Sequence, residues 1–307
     1  MKINLPEKVE FIIDSIYENG YEAFIVGGCV RDYILGLEPN DYDIATSATP
    51  SEILEIFKEY KVIEIGIKHG TIGVIIGKTL YEITTYRIDG EYEKNRRPKN
   101  IKYSSNIYDD LKRRDFTINA MAYNYKVGLI DEFNGVNDIK KRIIRTVGNS
   151  DKRFIEDGLR IIRAIRFSAK LGFNIEENTL QSIYRNSHII KNISIERITD
   201  EFSKIIISKK PEKIIFLYKT KILNFLGIEY NLNENEMDMF EESLKVISKC
   251  DINLESRLAM LEYLTINRKI KNEKNKCNIQ YKGIINLLRY SKKIINNVNI
   301  LCENMFF

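Results

Sequence analysis

Two aspartates one residue apart, in the segment Asp41-Tyr42-Asp43, form the pattern in this sequence that is best suited to chemistry. If the segment is a strand, its i and i+2 side chains project from one face, so the two carboxylates converge. Like charges this close repel each other unless a cation lies between them, and Mg²⁺ suits such oxygen ligands. Glu82 could bring a third carboxylate to the same metal ions. A polar strand end, for the aspartates, and a solvent-facing strand position, for Glu82, are the alternatives.

A pair of glycines, Gly27 and Gly28, stands between a short apolar strand and a predicted helix. Glycine lets a phosphate approach the backbone closely, and a helix N-terminus offers unbonded N–H groups and a positive dipole end. Arg31, in the first turn, adds a charged group that could clamp a triphosphate. A tight turn without a ligand is the alternative.

A second group of polar residues lies in KRRDFTINAMAYN, residues 112–124. Its polar members beside the apolar segment are Arg113, Arg114, Asp115 and Asn119. A nucleotide ribose and its phosphates need this mixture of donors and acceptors, although a basic pair before a helix is more often only a charged helix end.

A helix predicted over residues 151–171 and ended by Gly172 carries a row of charged side chains. Its charged residues of interest are Glu156, Asp157, Arg160, Arg163 and Arg166. The apolar positions Ile161, Ile162, Ile165 and Ala169 fall on the opposite side and should face the core. Ordinary ion pairs such as Glu156–Arg160 are the alternative, but three arginines at i, i+3 and i+6 exceed what they need.

The elements that must position these residues differ between the two halves of the chain. Residues 1–145 mix short helices with alternating apolar stretches, and residues 71–87 predict a β-hairpin that turns at Gly77-Lys78. Beyond residue 150 glycine is rare and apolar residues recur at helical spacing, with a polar loop or helix break predicted at 269–283. The sequence therefore predicts an α+β fold: a mixed sheet with helices, followed by an all-α part.

Residues 87–110 form a long polar connection in which basic residues alternate with tyrosines. Connections of this length in a compact domain are usually functional or mobile, and a solvated loop is the alternative. The nearby GVIIGKT, residues 73–79, is one residue too short for a phosphate-binding P-loop and joins two strands, so we reject that motif.

Composition limits the classes of protein that this chain can be. Its 307 residues, 44% of them hydrophobic, suit two domains with a sizeable core. No apolar run approaches the roughly 18–20 residues of a membrane-spanning helix, and acidic residues near the N-terminus exclude a signal peptide. A net charge of +5 allows a polyanionic partner without requiring one.

Histidine and cysteine usage narrows the chemistry. The chain has two histidines, His69 and His188, and four cysteines without CxxC spacing. Histidine-rich metal sites and a disulfide framework are therefore not expected. We expect a reducing, cytoplasmic setting. Chemistry must rest on aspartate, glutamate, arginine and lysine.

Four motifs together resemble those of the class II tRNA nucleotidyltransferases of the DNA polymerase β superfamily, which comprise CCA-adding enzymes and bacterial poly(A) polymerases. The motifs are GGCVRD (27–32), DYD (41–43), RRDFTINA (113–120) and EDGLRIIRAIRF (156–167). They occur in the family's order and spacing, within residues 20–210. The resemblance implies a polymerase-β-like nucleotidyltransferase head over residues 1–145, a helical neck that recognises the base over 146–210, and a short RNA-binding helical body over 211–307.

The resemblance also implies a reaction and its residues. CTP and ATP would be added to the 3′ end of tRNA, gripped at its acceptor stem, by in-line attack of the primer 3′-hydroxyl on the α-phosphate, with release of pyrophosphate. Asp41 and Asp43 would bind two Mg²⁺ ions, with Glu82 as a further catalytic carboxylate. The implied nucleotide-binding residues are Gly27, Gly28 and Arg31 for the triphosphate, Arg114, Asp115 and Asn119 for the nucleotide and its sugar, Asp157 and Arg160 for the base, and Arg163 and Arg166 as their support.

The base-recognition role has a physical basis of its own. Cytosine and adenine both present an amino donor next to a ring-nitrogen acceptor, and an aspartate beside an arginine matches that order. Guanine and uracil present the reverse order. One pair, Asp157 and Arg160, can therefore accept C and A and reject G and U, at about 1–3 kcal/mol per good contact.

Other functions stay open at this point. An A-adding enzyme or a poly(A) polymerase is the nearest, although the loop at 87–110, which is shortened in relatives that add only CC, favours CCA or A addition. A non-catalytic RNA-binding protein has no reason to keep two repelling carboxylates. A small-molecule nucleotidyltransferase would not need the basic loop and the helical body. No membrane partner is expected, and the oligomeric state is open.

Overall fold

A mixed β-sheet with helices occupies the first half of the chain and helices fill the second, in a computed structural model that describes residues 3–93, 95–227, 232–272 and 283–305. The chain divides into two units, Met1–Glu93 with Arg97–Glu156, and Asp157–Phe307 with Lys94–Arg96. The predicted α+β class is confirmed. No helix in the described ranges is long and apolar enough to cross a bilayer.

The first unit contains both long and very short strands. They are β1 (Ala23–Val26), β2 (Asp43–Thr46), β3 (Lys61–Gly66), β4 (Thr71–Ile76), β5 (Thr79–Thr85), β6 (Arg87–Asp89), β7 (Tyr92–Glu93), β8 (Arg97–Pro98), β9 (Ile101–Tyr103), β10 (Ala122–Asn124), β11 (Gly128–Ile130) and β12 (Ile143–Ile144). Its helices are α1 (Glu7–Glu18), α2 (Gly28–Ile34), α3 (Pro50–Ile56), α4 (Ile107–Lys112), α5 (Gly135–Lys141) and α6 (Ser150–Glu156).

Seven strands form the main sheet in the order β11-β10-β1-β2-β5-β4-β3. Strand β2 runs antiparallel to β1 and parallel to β5, so the sheet is mixed. On one face, Phe24 and Val26 of β1 and Ala45 of β2 pack with Ile107 and Leu111 of α4. This packing fixes α4 over the part of the sheet that holds the candidate site.

The predicted hairpin is confirmed, and the segment Asp41-Tyr42-Asp43, considered above as a strand, enters a strand only at its last residue. Strands β4 and β5 pair antiparallel around Gly77, whose φ of +69° suits glycine. Strand β2 begins at Asp43, so Asp41 precedes the strand. Strand geometry therefore sets the direction of the Asp43 side chain but not that of Asp41. The prediction that both aspartates project from one face of a strand was wrong for Asp41.

The polar segment 87–110 is not an unstructured loop: its described residues between 87 and 103 include a β-ribbon, and residues 107–110 belong to α4. Strand β6 pairs with β9 and β7 pairs with β8, so the two sides of the segment satisfy each other's backbone hydrogen bonds. Lys94 lies outside the described residues. The short alternating runs were too weak a signal to predict these strands from sequence.

Among the described residues of the second unit, the two-residue β13 (Asn174–Ile175) is the only strand, and the other elements are helices. Its helices are α7 (Leu159–Leu171), α8 (Glu177–Asn186), α9 (Ile195–Ile206), α10 (Ile215–Lys219), α11 (Ile222–Phe225), α12 (Glu234–Leu244), α13 (Leu254–Asn272), α14 (Ile284–Leu287) and α15 (Lys292–Met305). The loop or helix break predicted at 269–283 is wrong for residues 269–272, which belong to α13. Residues 273–282 lie outside the described residues.

The single helix predicted over 151–171 is two helices, α6 and α7, separated at Asp157 and Gly158. The Asp157 carboxylate accepts a hydrogen bond from the Leu159 backbone N–H at 3.1 Å, and so starts a new helix where the sequence pattern continues. Gly172 ends α7 with a φ of +68°, as predicted. The predicted apolar side of α7 is confirmed, since Ile161, Ile162, Ile165 and Ala169 are all buried.

Candidate active site

Three carboxylates, those of Asp41, Asp43 and Glu82, interact electrostatically near the start of β2. The Cα of Asp43 pairs with that of Glu82 on β5, and paired positions project from the same face of a sheet. Asp43 is exposed to solvent, but many protein atoms surround its carboxyl. This partial burial is the main reason why the pKa of the carboxyl is raised. The positive charge of Arg114 lowers this pKa, while the negative charges of Asp41 and Glu82 raise it.

This donor set fits a hard divalent cation. Within the described part of the chain, no three Asp, Glu, His or Cys side chains converge into a ready-made metal cluster. Mg²⁺ commonly takes one or two protein carboxylates and completes its octahedron with water and substrate phosphate oxygens. The negative charges of Asp41 and Glu82 contribute to the raised pKa of Asp43. A bound cation would relieve this repulsion between carboxylates.

Gly27 closes β1 and adjoins both Asp43 and Arg114. Its φ of +79° and ψ of −125° are open to glycine, and an added Cβ would lie 2.9 Å from Nη1 of Arg114. Val26, the preceding residue, pairs with Asp43 across β1 and β2. The glycine therefore lets a guanidinium lie against the backbone next to the carboxylates.

A buried chain of hydrogen bonds runs from Arg31 to Asp115. Arg31 donates to Oδ1 of Asn119 at 2.7 Å and also pairs with Asp32 at 2.7 Å. Asn119 in turn donates to Oδ1 of Asp115 at 3.2 Å. Arg31 is only 3% exposed, so the network holds three sequence-predicted site residues in one fixed arrangement.

Arg114 is held by an aspartate that the sequence analysis did not single out. Asp110 of α4 is fully buried and pairs with Arg113 at 2.6 Å and with Arg114 at 2.9 Å. Burial alone would raise the pKa of Asp110, but Arg114 and Arg113 outweigh it and leave the pKa below its usual value. Nη1 of Arg114 takes no part in these bonds and is the nitrogen that faces Gly27.

In the second unit, Asp157 lies in the break before α7 with both carboxylate oxygens engaged. Oδ1 accepts from the Leu159 N–H, and Oδ2 accepts from Arg197 of α9 at 3.2 Å. Arg160, one turn later, is buried, and its backbone N–H donates to the Asp157 carbonyl. The helix break thus fixes an acceptor and a donor side chain close together in the chain.

Arg163 and Arg166 pair with the buried Glu201 of α9. The distances are 3.9 Å from Nη1 of Arg163 and 2.7 Å from Nε of Arg166. Both guanidinium groups also lie over the ring of Phe167, at 5.4 Å and 4.2 Å from its centroid. These ion pairs connect α7 to α9, the helix that also provides Arg197 to Asp157.

Three residues that contact the candidate site residues were not identified from the sequence, namely Asp110, Arg197 and Glu201. The spacing of Asp110 from Arg113 and Arg114 is i+3 and i+4 on a short helix, so helical periodicity could have found it. Arg197 is 40 residues from Asp157, and Glu201 is on another helix from its arginine partners. No local pattern in a single sequence reveals such pairs.

The chain is similar to known proteins over most of its length. Residues 23–145 match a family model described as "Poly A polymerase head domain", and residues 172–229 match one described as "Probable RNA and SrmB- binding site of polymerase A". The chain is similar to a CCA-adding enzyme of Oceanobacillus iheyensis, at 48% identity over 208 residues, 68% of this chain and 52% of the relative. It is also similar to a CCA-adding enzyme of Ligilactobacillus salivarius, at 39% identity over 299 residues, 96% of this chain and 69% of the relative.

A solved structure is similar over nearly the whole chain. It is described as "Crystal structure of Bacillus stearothermophilus CCA-adding enzyme in complex with CTP", with a TM-score of 0.79 and 31% identity over 98% of this chain and 70% of that one. The chain spans about half the length of the Oceanobacillus relative that it matches.

Proposed function

The chain belongs to the family of CCA-adding enzymes, and from that membership we propose that it adds C and A from CTP and ATP to the 3′ end of tRNA without a nucleic-acid template. The matches confirm the family inferred from the four sequence motifs. The observation that carries the proposal is the pairing of Asp43 with Glu82 next to Gly27 and Arg114.

Asp41 and Asp43 would hold Mg²⁺, with Glu82 adding negative charge beside them. The chemistry that Mg²⁺ supplies when bound is activation of the primer 3′-hydroxyl and neutralisation of charge on the departing pyrophosphate. Asp43 must lose its proton to serve as a ligand. Burial raises the pKa of its carboxyl, and the positive charge of Arg114 opposes that rise.

The incoming triphosphate would lie between the β1–α2 turn and Arg114. Gly27 and Gly28 leave the backbone uncovered there, and Nη1 of Arg114 is directed to the same place. The buried chain of Arg31, Asn119 and Asp115 would hold the walls of this pocket at fixed positions, so that little reorganisation is needed when charge develops.

Base selection would rest on Asp157 and Arg160. The carboxylate of Asp157 keeps lone pairs for an exocyclic amino group while two hydrogen bonds fix its orientation. Arg163 and Arg166, paired with Glu201, would support this recognition surface from behind. The pattern of acceptor beside donor fits C and A and disfavours G and U.

We assign residues 1–145 to catalysis, 146–210 to a neck that recognises the base, and 211–307 to a body that grips the acceptor stem. The family-model match at residues 172–229, described by its RNA binding, supports an RNA contact in the helical part. We also propose that the protein acts in the cytoplasm, and what supports this is that the three cysteines in the described residues, Cys29, Cys250 and Cys302, form no disulfide.

A poly(A) polymerase is the second candidate, because the model matched by residues 23–145 carries that name. The test incubates the protein with Mg²⁺, single labelled nucleotides and tRNA that lacks its 3′ end, and then sizes the products. CTP followed by ATP, with a stop after three additions, supports CCA addition. A long ladder of A, or use of ATP only after CC is present, would replace it with polyadenylation or A addition.

A further inference from the structure

An apolar patch lies on the same face of the sheet as the candidate catalytic carboxylates. Three aliphatic side chains on the two strands that flank β4 form it: Ile63 (40% exposed) and Ile65 (45%) on β3, and Leu80 (45%) on β5. Single exposed aliphatic side chains are ordinary on protein surfaces, whereas several gathered at one place indicate a binding surface.

The strand register connects this patch to the carboxylates. Asp43 of β2 pairs with Glu82 of β5, which pairs with Gly73 of β4. Gly73 pairs in turn with Ile63 of β3. Leu80 lies two residues from Glu82 on the same strand, so it projects from the same face. One lateral row therefore leads from the acidic group into the aliphatic one.

Gly73 lets two of these side chains close over the sheet. A Cβ at this position would lie 2.5 Å from Cδ1 of Ile65 and 2.9 Å from Cδ1 of Leu80. This contact places Ile65 on the same face as Leu80, despite the shift in register between Ile63 and Gly66. Ile65 and Leu80 thus form one aliphatic surface beside Glu82.

The strand order separates the patch from the residues assigned to the incoming nucleotide. Gly27 and Arg114 lie on the β1 side of Asp43, whereas the patch lies on the other side, over β5, β4 and β3. Helix α4 covers the β1 side through Ile107 and Leu111. An in-line displacement needs the attacking oxygen and the leaving group on opposite sides of the reacting phosphorus.

We propose that Ile63, Ile65 and Leu80 bind the terminal nucleoside of the RNA primer and so bring its 3′-hydroxyl beside Asp43 and Glu82. This role rests on the proposed function. An aliphatic surface without donors or acceptors packs against the flat face of any base. It therefore suits a reaction in which the terminal base of the primer changes after each addition.

The size of the patch favours one nucleoside over a second protein. Three half-exposed aliphatic side chains present far less area than the roughly 800 Å² per partner that a stable protein interface buries. A single base has an apolar face of the size that a few aliphatic side chains can cover.

The test compares two RNA hairpins that differ only in the 3′-terminal residue, a normal nucleoside or an abasic ribose. Equilibrium binding is measured for the wild type, for the triple variant Ile63→Thr/Ile65→Thr/Leu80→Thr, and for Val127→Thr. Threonine is β-branched, as strands favour, so each substitution removes apolar surface while suiting the strand. Val127 is an exposed aliphatic residue (61%) between β10 and β11 and serves as the matched control.

We expect the wild type and Val127→Thr to bind the normal RNA about tenfold more tightly than the abasic RNA. The triple variant should bind the two equally, with an unchanged KM for CTP. If the triple variant does not fold, Leu80→Thr alone should lose part of the difference.

A wild type without preference for the terminal base, or a folded variant that keeps the full preference, would overturn the proposal. A variant that changes the sedimentation mass of the protein would assign the patch to a second copy instead. The binding measurement does not depend on turnover. A wild type that extends no primer would therefore disprove the proposed function without deciding the role of the patch.

Discussion

At the scale of single residues, Asp43 is placed where ionisation opposes stability. Burial and the charges of Asp41 and Glu82 raise the pKa of its carboxyl, against the opposing effect of Arg114. The folded protein therefore binds this proton more tightly than the unfolded chain. The contribution of Asp43 to stability is greatest at low pH and is lost as the pH rises through its folded-state pKa.

Substitution of Asp43 by asparagine should separate catalysis from folding. We expect incorporation of CTP and ATP to fall by roughly 10³-fold or more, because a neutral amide is a poor ligand for Mg²⁺. The free energy of unfolding at pH 7 should stay equal or rise slightly, because a disfavoured charge is removed. Primer extension and urea denaturation measure the two effects. Nearly normal incorporation would contradict the assignment.

Asp157 should control the choice of nucleotide more than the rate. In Asp157→Ala the acceptor for the exocyclic amino group is lost, at about 1–3 kcal/mol of discrimination. We expect incorporation of G and U to rise relative to C and A by roughly 5- to 150-fold. Single-nucleotide primer extension with each of the four nucleotides checks this ratio.

A variant of Arg197 is the control for Asp157→Ala, because Arg197 of α9 donates a hydrogen bond to Oδ2 of the Asp157 carboxylate. Arg197→Gln keeps a donor at this position, so its loss of selectivity should be smaller than that of Asp157→Ala. Retained selectivity for C and A in Asp157→Ala would exclude the carboxylate as the base reader.

At the scale of elements, α4 links the hydrophobic core to the candidate triphosphate site. Its apolar side packs against β1 and β2, and Asp110 on the same helix holds Arg113 and Arg114 just beyond the helix end. Because the core fixes α4, it also fixes the distance between Arg114 and Gly27.

Removal of the Asp110 carboxylate should destabilise this arrangement. Asp110→Ala leaves two arginines without their buried partner, so we expect a loss of about 3–5 kcal/mol in the free energy of unfolding. The KM for CTP should rise as well, because Arg114 loses its support. Asp109→Ala, one residue away on the same helix and only partly buried, should have a much smaller effect on both measurements.

The pH dependence of stability tests the same ion pairs. The pKa of Asp110 is below its usual value, so its stabilising effect is present above the unfolded-state pKa and is lost as the pH falls through the folded-state value. The difference in unfolding free energy between wild type and Asp110→Asn should therefore shrink below about pH 4. A difference independent of pH would show that Asp110 acts without its charge.

At the scale of the whole molecule, the net charge is +5. We expect salt to weaken the binding of RNA much more than the binding of a single nucleotide, because RNA carries many more phosphates. RNA binding releases condensed counterions, so the KM for tRNA should rise on the order of tenfold or more between 50 and 200 mM KCl. The KM for CTP should change much less, because few charges take part. Steady-state kinetics at several KCl concentrations measure both, and equal slopes would argue against an extended RNA contact.

Much of this molecule followed from local patterns in the sequence. Residues 71–85 alternate and turn at Gly77, and the apolar positions of α7 recur with helical spacing, so both elements were predictable. The types of residue in DYD and RRD indicated carboxylate and phosphate chemistry before any fold was known. Such patterns are readable because periodicity and turn chemistry act between residues close in sequence.

Tertiary structure decided where these residues act. Only strand pairing sets Asp43 beside Glu82, and only the packing of α4 and β1 sets Arg114 against Gly27. Likewise, the Asp157 turn that divides one predicted helix into two is held by Arg197, 40 residues later. These contacts depend on which distant segments pack together, which is a property of the whole core. Residue types and spacing therefore indicated the chemistry, and the fold determined how the candidate site is arranged.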